Sequence, residues 1–215
     1  MSQPLVIAVD GPAASGKGTI ASALAALYGL PHLDTGLLYR AVGVAVLAAG
    51  GRLDDEAGAA KIAADLDLAR LDQPEYRTRQ AGEAASQVAV HPAVRLALLK
   101  MQQDFARRPG GAVIDGRDIG TVIAPDAVAK LFVTATPEVR AERRWKQLTG
   151  QGESVSMAEV LEDIRLRDAR DSGRGAAPLT QADDAVLLDT SQKSIESAAD
   201  AARRIVEAAR IRSNG

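Results

Sequence analysis

Residues 5–19 read Leu5-Val6-Ile7-Ala8-Val9-Asp10-Gly11-Pro12-Ala13-Ala14-Ser15-Gly16-Lys17-Gly18-Thr19, and an Ala/Leu-rich stretch follows. This order predicts a buried strand, a tight glycine-bounded loop and a helix. The uninterrupted apolar run suits a strand covered on both faces, as in a parallel sheet. Gly11 and Gly16 permit a turn whose backbone N–H groups point inward. The helix behind them adds its positive end, and Lys17 adds an ammonium, so the segment is built to hold a polyphosphate. Gly11 to Thr19 are therefore the expected ATP-binding residues. The position after Lys17, where such loops often place a magnesium-binding hydroxyl, is Gly18. Magnesium should then be held mainly by phosphates and water, with Thr19 as the nearest hydroxyl.

The rest of the chain agrees with an α/β fold. Short apolar runs at 5–10, 31–34, 112–115, 130–133 and 185–188 alternate with helical patterns at 17–28, 38–49, 93–107, 138–147, 157–170 and 194–210. Two stretches interrupt the alternation. Residues 51–92 are rich in Ala and charge with weak periodicity, and residues 150–178 end in dense arginine; both read as excursions on one domain spanning 1–215. With 215 residues, no cysteine and a net charge of −2, the chain supports one substantial core and excludes disulfides and thiolate chemistry. The charge balance argues against a general nucleic-acid or membrane-surface binder, and the expectation is a soluble, cytoplasmic monomer. His32 and His91 stand alone and are assigned structural roles.

Three further segments carry chemistry. In Asp34-Thr35-Gly36-Leu37-Leu38-Tyr39-Arg40, Asp34 or Thr35 can cap a helix, while Thr35 and Arg40 can bind a second phosphate. In Asp115-Gly116-Arg117-Asp118, Asp115 at a strand end is placed to orient magnesium-bound water, and Arg117 offers a fork for phosphate. Asp118 can accept from an exocyclic amine such as cytosine N4, where uracil would present an acceptor instead. In the run from Arg165 to Arg174, the i, i+3, i+7 spacing of Arg167, Arg170 and Arg174 puts three cations on one helix face. Interleaved Asp168 and Asp171 also suit a plain solvated helix; beside a phosphate loop, arginines closing over a transferred group is the better reading. Ser86 and Arg95 flank a turn ending at His91-Pro92, and Arg95 is equally a surface residue on these grounds. Arg140, Arg143, Arg144 and Lys146 form a basic helix face expected to be solvated, with one over the ATP base.

In these residues the chain resembles bacterial cytidylate kinases. The resemblance rests on Asp10-Gly11-Pro12 with Gly16-Lys17-Gly18-Thr19, Asp34-Thr35-Gly36 with Tyr39-Arg40, Ala84-Ala85-Ser86-Gln87-Val88-Ala89, Asp115-Gly116-Arg117-Asp118 with Gly120-Thr121-Val122, and Arg167-Asp168, Arg170-Asp171, Arg174 and Ala177-Pro178-Leu179. It covers nearly the whole length. It implies a P-loop fold with a five-stranded parallel sheet, a nucleoside-monophosphate-binding insertion (51–92) and a lid (150–178). It implies ATP and magnesium as donor system and CMP or dCMP as acceptor. Ser86, Arg95 and Asp118 would read cytosine, Arg40, Arg117 and Arg174 would hold the CMP phosphate, and Asp171 would hold the sugar hydroxyls. Thr35, where many members carry Ser, and Tyr39 complete the acceptor set. Lys17, Arg117, Arg167 and Arg170 would be the catalytic set. The family pattern has a longer insertion with a small sheet, whereas here only residues 66–80 are available for it. A P-loop kinase for another small acceptor, or a nucleotide-dependent switch, keeps the same loop; Gly18 and the arginine density count against the switch.

Overall fold

The structure, a computed structural model, describes residues 4–67, 71 and 73–214. Among these, five parallel strands form one sheet in the order β2-β3-β1-β4-β5: β1 Leu5–Asp10, β2 His32–Asp34, β3 Gly111–Gly116, β4 Ala129–Thr134 and β5 Val186–Asp189. The helices are α1 Lys17–Tyr28, α2 Thr35–Ala48, α3 Glu56–Ala64, α4 Arg79–Val88, α5 Pro92–Ala106, α6 Pro137–Gly150, α7 Met157–Gly173 and α8 Ile195–Asn214.

Aromatic residues make up only 3% of the chain, so the core is assembled from aliphatic contacts on both faces of the sheet. Ile7 and Val9 of β1 meet Ile20 and Leu24 of α1 and Ala202 and Val206 of α8 on one side. On the other, Ala8 and Ile114 meet Ile119 and Ile123 of a π-helical turn, Ile119–Ile123. Two separate clusters lie beside the sheet. One unites α2, α3, α4 and α5 through Leu38, Val42, Ala59, Val88 and Leu98. The other unites α6 and α7 through Leu148, Val160 and Ile164. Each excursion is thus packed on helices outside it, 51–92 on α2 and α5 and 150–178 on α6, and the cleft lies between the two lobes so formed.

The strands fall where the apolar runs predict them, within a residue at each end. The helices differ more. α2 starts three residues before the predicted 38, because Asp34 accepts from the Gly36 amide at 2.9 Å and caps the helix. α3, α4 and a short 3-10 turn, Pro74–Arg77, occupy the stretch whose periodicity is weak. For α3 the reason is composition, since the residues it buries, Ala59 and Ala63, are too small to give apolar contrast; α4 instead sets its small buried face, from Ala81 to Val88, against Arg79, Gln80, Glu83 and Gln87. α7 ends at Gly173, so Arg174 lies beyond the helix in extended backbone rather than on a shared face with Arg167 and Arg170. No helix among the described residues is long and apolar enough to cross a membrane.

Candidate active site

The parallel topology brings the carboxyl ends of β1, β2 and β3 together. There β1 runs into the phosphate loop, and the β2–β3 register sets Asp34 directly beside Asp115. Within the loop, Gly11 (φ 153°), Ala14 (φ 57°) and Gly16 (φ 92°) adopt positive φ, winding the backbone into a cradle ahead of α1. A Cβ on Gly11 would sit 2.0 Å from the Val133 carbonyl oxygen, so the loop closes against β4 only because that position is glycine. Ser15 is fully buried and its hydroxyl has no partner.

Lys17 projects into a cleft of about 170 Å³ beyond the loop. Burial, and secondarily the Arg117 charge, lower its pKa to about 8. Burial and the neighbouring Asp115 charge raise Asp34. Asp115 is 1% exposed, and its Oδ1 lies 2.8 Å from His32 Nε2. Burial pulls His32 down, but the bond to Asp115 outweighs it and the pKa is raised. His32 therefore does not stand alone, contrary to the sequence reading. Its neighbour lies 83 positions away, and only strand pairing brings the two together. The described residues hold no group of three or more His, Cys, Asp and Glu suited to a metal. Two carboxylates beside a lysine fit a divalent cation that arrives on phosphates better than one caged by protein. Thr19 is exposed on the side of the loop away from this cleft.

Seven cationic side chains against three carboxylates line the cleft. Arg40 donates from one guanidinium nitrogen to the Tyr76 carbonyl at 2.8 Å; burial and the Arg144 charge lower it to about 10. Arg167 is lowered to about 10 by burial, with Arg117 and Arg40 adding repulsion. Its Nε and one terminal nitrogen of Arg174 are buried without partners. Crowded guanidiniums with unmet donors are what an anion would satisfy. Arg117 Nε bonds Asp171 at 2.7 Å, and Arg174 Nε bonds the Ala177 carbonyl at 2.7 Å.

At the far end of the cleft, Arg95 bonds the Asp118 carboxylate, with its guanidinium 5.6 Å from the centre of the Tyr39 ring. The structure thus decides the sequence ambiguity over Arg95: it faces the cleft. Ser86 and Thr35 line the same cleft. Thr35 donates to the Asp115 carbonyl at 2.8 Å. Gly116 lets it approach, since a Cβ there would stand 2.5 Å from the Thr35 hydroxyl. Arg170 stands apart from Arg167 and Arg174. It turns to α4, pairing with Glu83 at 2.7 Å and donating to Ser86 at 3.2 Å. Arg79 of α4 pairs with Asp163 of α7 at 2.6 Å, so ion pairs join the two lobes over the cleft.

The basic face of α6 is not solvated as expected. Arg140 is 3% exposed, forks onto Asp168 and donates to the Ala135 carbonyl. Arg143 reaches the Ser15 carbonyl at 3.3 Å and the Thr190 carbonyl at 2.7 Å, bracing the phosphate loop. Arg144 lines the cleft, and Lys146 alone of the four keeps to the surface, paired with Glu142. A second cavity, of about 430 Å³, opens on the other side of the loop between α6 and the start of α8, lined by Gly16, Arg143, Thr190, Lys193 and Ile195. The two cavities share Ala14, Arg144 and Gln147, so they meet above the loop.

The family model described as Cytidylate kinase matches residues 7–208. The chain belongs to the cytidylate kinase family. It is 70% identical over 207 residues to a protein named Cytidylate kinase from Caulobacter vibrioides, covering 96% of this chain and 97% of that one. It is 66% identical over 206 residues to a Cytidylate kinase from Xanthobacter autotrophicus, covering 96% and 99%. Among solved structures, an uncharacterized protein from Eubacterium ventriosum superposes with a TM-score of 0.55 at 13% identity, covering 96% of this chain and 99% of that one. TT1252 from Thermus thermophilus gives 0.50 at 23% identity, covering 96% and 98%. These two speak for the fold alone. The cytidylate kinase resemblance and the five-stranded parallel sheet expected from it are both borne out.

Proposed function

We propose that this chain transfers the γ-phosphoryl group of ATP to the 5′-phosphate of CMP or dCMP, giving ADP and CDP or dCDP. One observation carries the reading: the Arg95–Asp118 pair closes the end of a cation-lined cleft that begins at Lys17. A carboxylate there accepts from the cytosine amine, whereas the same atom of uracil is an acceptor and is repelled. Ser86 and Tyr39 complete the base end. Arg40, Arg117 and Arg174 then face the acceptor phosphate, and Asp171 the sugar.

ATP lies across the loop with its base in the second cavity beside Arg143, Lys193 and Ile195, and its terminal phosphate at Lys17. An oxygen of the acceptor phosphate attacks the γ-phosphorus in line, and the bond to ADP breaks. The attacking oxygen is already anionic, so no general base is needed and positioning dominates. Lys17, Arg117 and Arg167 face the charge that spreads over the transferred group, with Arg170 brought in from its place against α4. Asp115 and Thr19 are the protein groups that would help hold magnesium, which would otherwise be carried by the phosphates and water and would neutralise part of that charge. Residues 51–92 serve as the acceptor-binding insertion and 150–178 as the lid, whose closure excludes water that would otherwise hydrolyse ATP.

Asp118→Ala tests this reading. It should lower the ratio of kcat/KM for CMP over UMP more than it weakens ATP. An unchanged ratio contradicts the cytosine assignment.

A further inference from the structure

Asp10 is the last residue of β1, immediately before the phosphate loop, and is 5% exposed. The proposed chemistry gives it no role. Its Oδ1 accepts from the Ile119 amide at 2.8 Å and its Oδ2 from the Gly120 amide at 2.7 Å. These amides open the π-helical turn that follows Asp118. Wide turns of this kind often mark places where the backbone is shaped for function. A buried carboxylate is costly unless its hydrogen bonds are good, and burial raises Asp10 to about 6 even against both amides. A smaller polar residue can cap one amide. Only a carboxylate accepts from two adjacent amides with separate oxygens, which fixes the turn in both position and orientation. The turn is pressed against it: a Cβ on Gly120 would lie 3.3 Å from Asp10 Oδ2 and 3.2 Å from the Lys130 side chain. One residue upstream, Asp118 meets Arg95 in the cleft.

We propose that Asp10 is a positioning residue for acceptor selection, holding Asp118 in fixed register with the phosphate loop. The base reader is thereby tied to the same strand end that carries the donor site, so cytosine is placed relative to the γ-phosphate rather than merely bound. The inference rests on the assignment of Asp118 to cytosine.

The test uses the full-length enzyme. Steady-state constants for CMP, UMP and ATP are measured in Asp10→Asn, Asp118→Ala and the double variant. Asparagine keeps the shape but turns an N–H₂ toward one of the two amides. The expected result for Asp10→Asn is a fall of about tenfold in the CMP/UMP ratio of kcat/KM, the worth of one charge-assisted bond. The KM for CMP should carry this change while the KM for ATP stays within about twofold. The double variant should fall no further than Asp118→Ala alone. An equal loss for CMP and UMP, or additive losses in the double variant, overturns the positioning role. If Asp118→Ala lowers the ratio and Asp10→Asn does not, the positioning role alone fails. If Asp118→Ala leaves it unchanged, the base-reading assignment fails and takes this inference with it. Gly120→Ala guards against a misfolded Asp10→Asn. It leaves the carboxylate in place but crowds its contact with the turn, a methyl standing 3.3 Å from Asp10 Oδ2 and 3.2 Å from the Lys130 side chain. A folded Gly120→Ala should therefore lower the ratio, and an undiminished one contradicts the proposal.

Discussion

Lys17 offers a direct physical test of the phosphate loop through its proton. Burial, aided by the Arg117 charge and opposed by Asp115, Asp34 and Asp171, lowers its pKa from the ordinary 10.5 to about 8. Phosphate oxygens arriving beside the ammonium favour the charged form and should restore the ordinary value. The bound state then holds more protons than the free one, so ATP binding must take protons up, and affinity must rise as pH falls from 10.5 towards 8. With these two values, uptake at Lys17 is about 0.1 proton at pH 7, about 0.5 at pH 8 and about 0.9 at pH 9. The same arithmetic makes ATP bind about fivefold more weakly at pH 9 than at pH 8. Titration calorimetry in buffers of different ionisation enthalpy reads the uptake as the slope of observed against buffer heat. The terminal phosphate of ATP is fully ionised at the upper two pH values, so the slope there belongs to the protein. Lys17→Met should bind ATP weakly with no such slope. A buffer-independent heat at pH 9, or a slope that survives in Lys17→Met, refutes the reasoning.

Other consequences follow from the packing. Gly11→Ala would drive a methyl to 2.0 Å from the Val133 oxygen. It should cost about 2 kcal/mol or more in urea unfolding and abolish ATP binding, and a variant with normal stability and affinity would show that the loop does not close against β4. Asp163→Asn removes the Arg79 pair between the lobes, a contact about one-third exposed and worth about 0.5–1 kcal/mol. The KM for CMP should rise about twofold to fivefold without loss of kcat, and the difference from wild type should shrink at high salt. A salt-independent difference, or a fall in kcat alone, would deny it a latching role.

Much of this arrangement is legible in the sequence because it is local. The strand, loop and helix from Leu5 to Tyr28 are specified by contiguous residues, as are the turns that carry Asp34 and Asp118. What sequence reading misses depends on distance. His32 finds Asp115 only through the β2–β3 register, and Arg140 finds Asp168 only when α7 packs on α6. Asp10 looks like the end of a strand until the turn after Asp118 is seen to rest on it. α3 escapes for a different reason: the alanines it buries leave little periodic contrast, whereas α4 does separate a small buried face from charged residues. The expected common face for Arg167, Arg170 and Arg174 fails because α7 stops one residue short of Arg174, and because Glu83 draws Arg170 to α4.

The measurement that bears most directly on the whole account is the initial rate of magnesium-dependent ADP formation from ATP, first with no acceptor and then with CMP, dCMP, UMP and AMP. Strong stimulation by CMP and dCMP, with CDP or dCDP as the second product and little turnover without an acceptor, is the predicted result. Equal stimulation by UMP or AMP would contradict the reading of Asp118 and Arg95. Turnover indifferent to every acceptor would contradict the kinase itself.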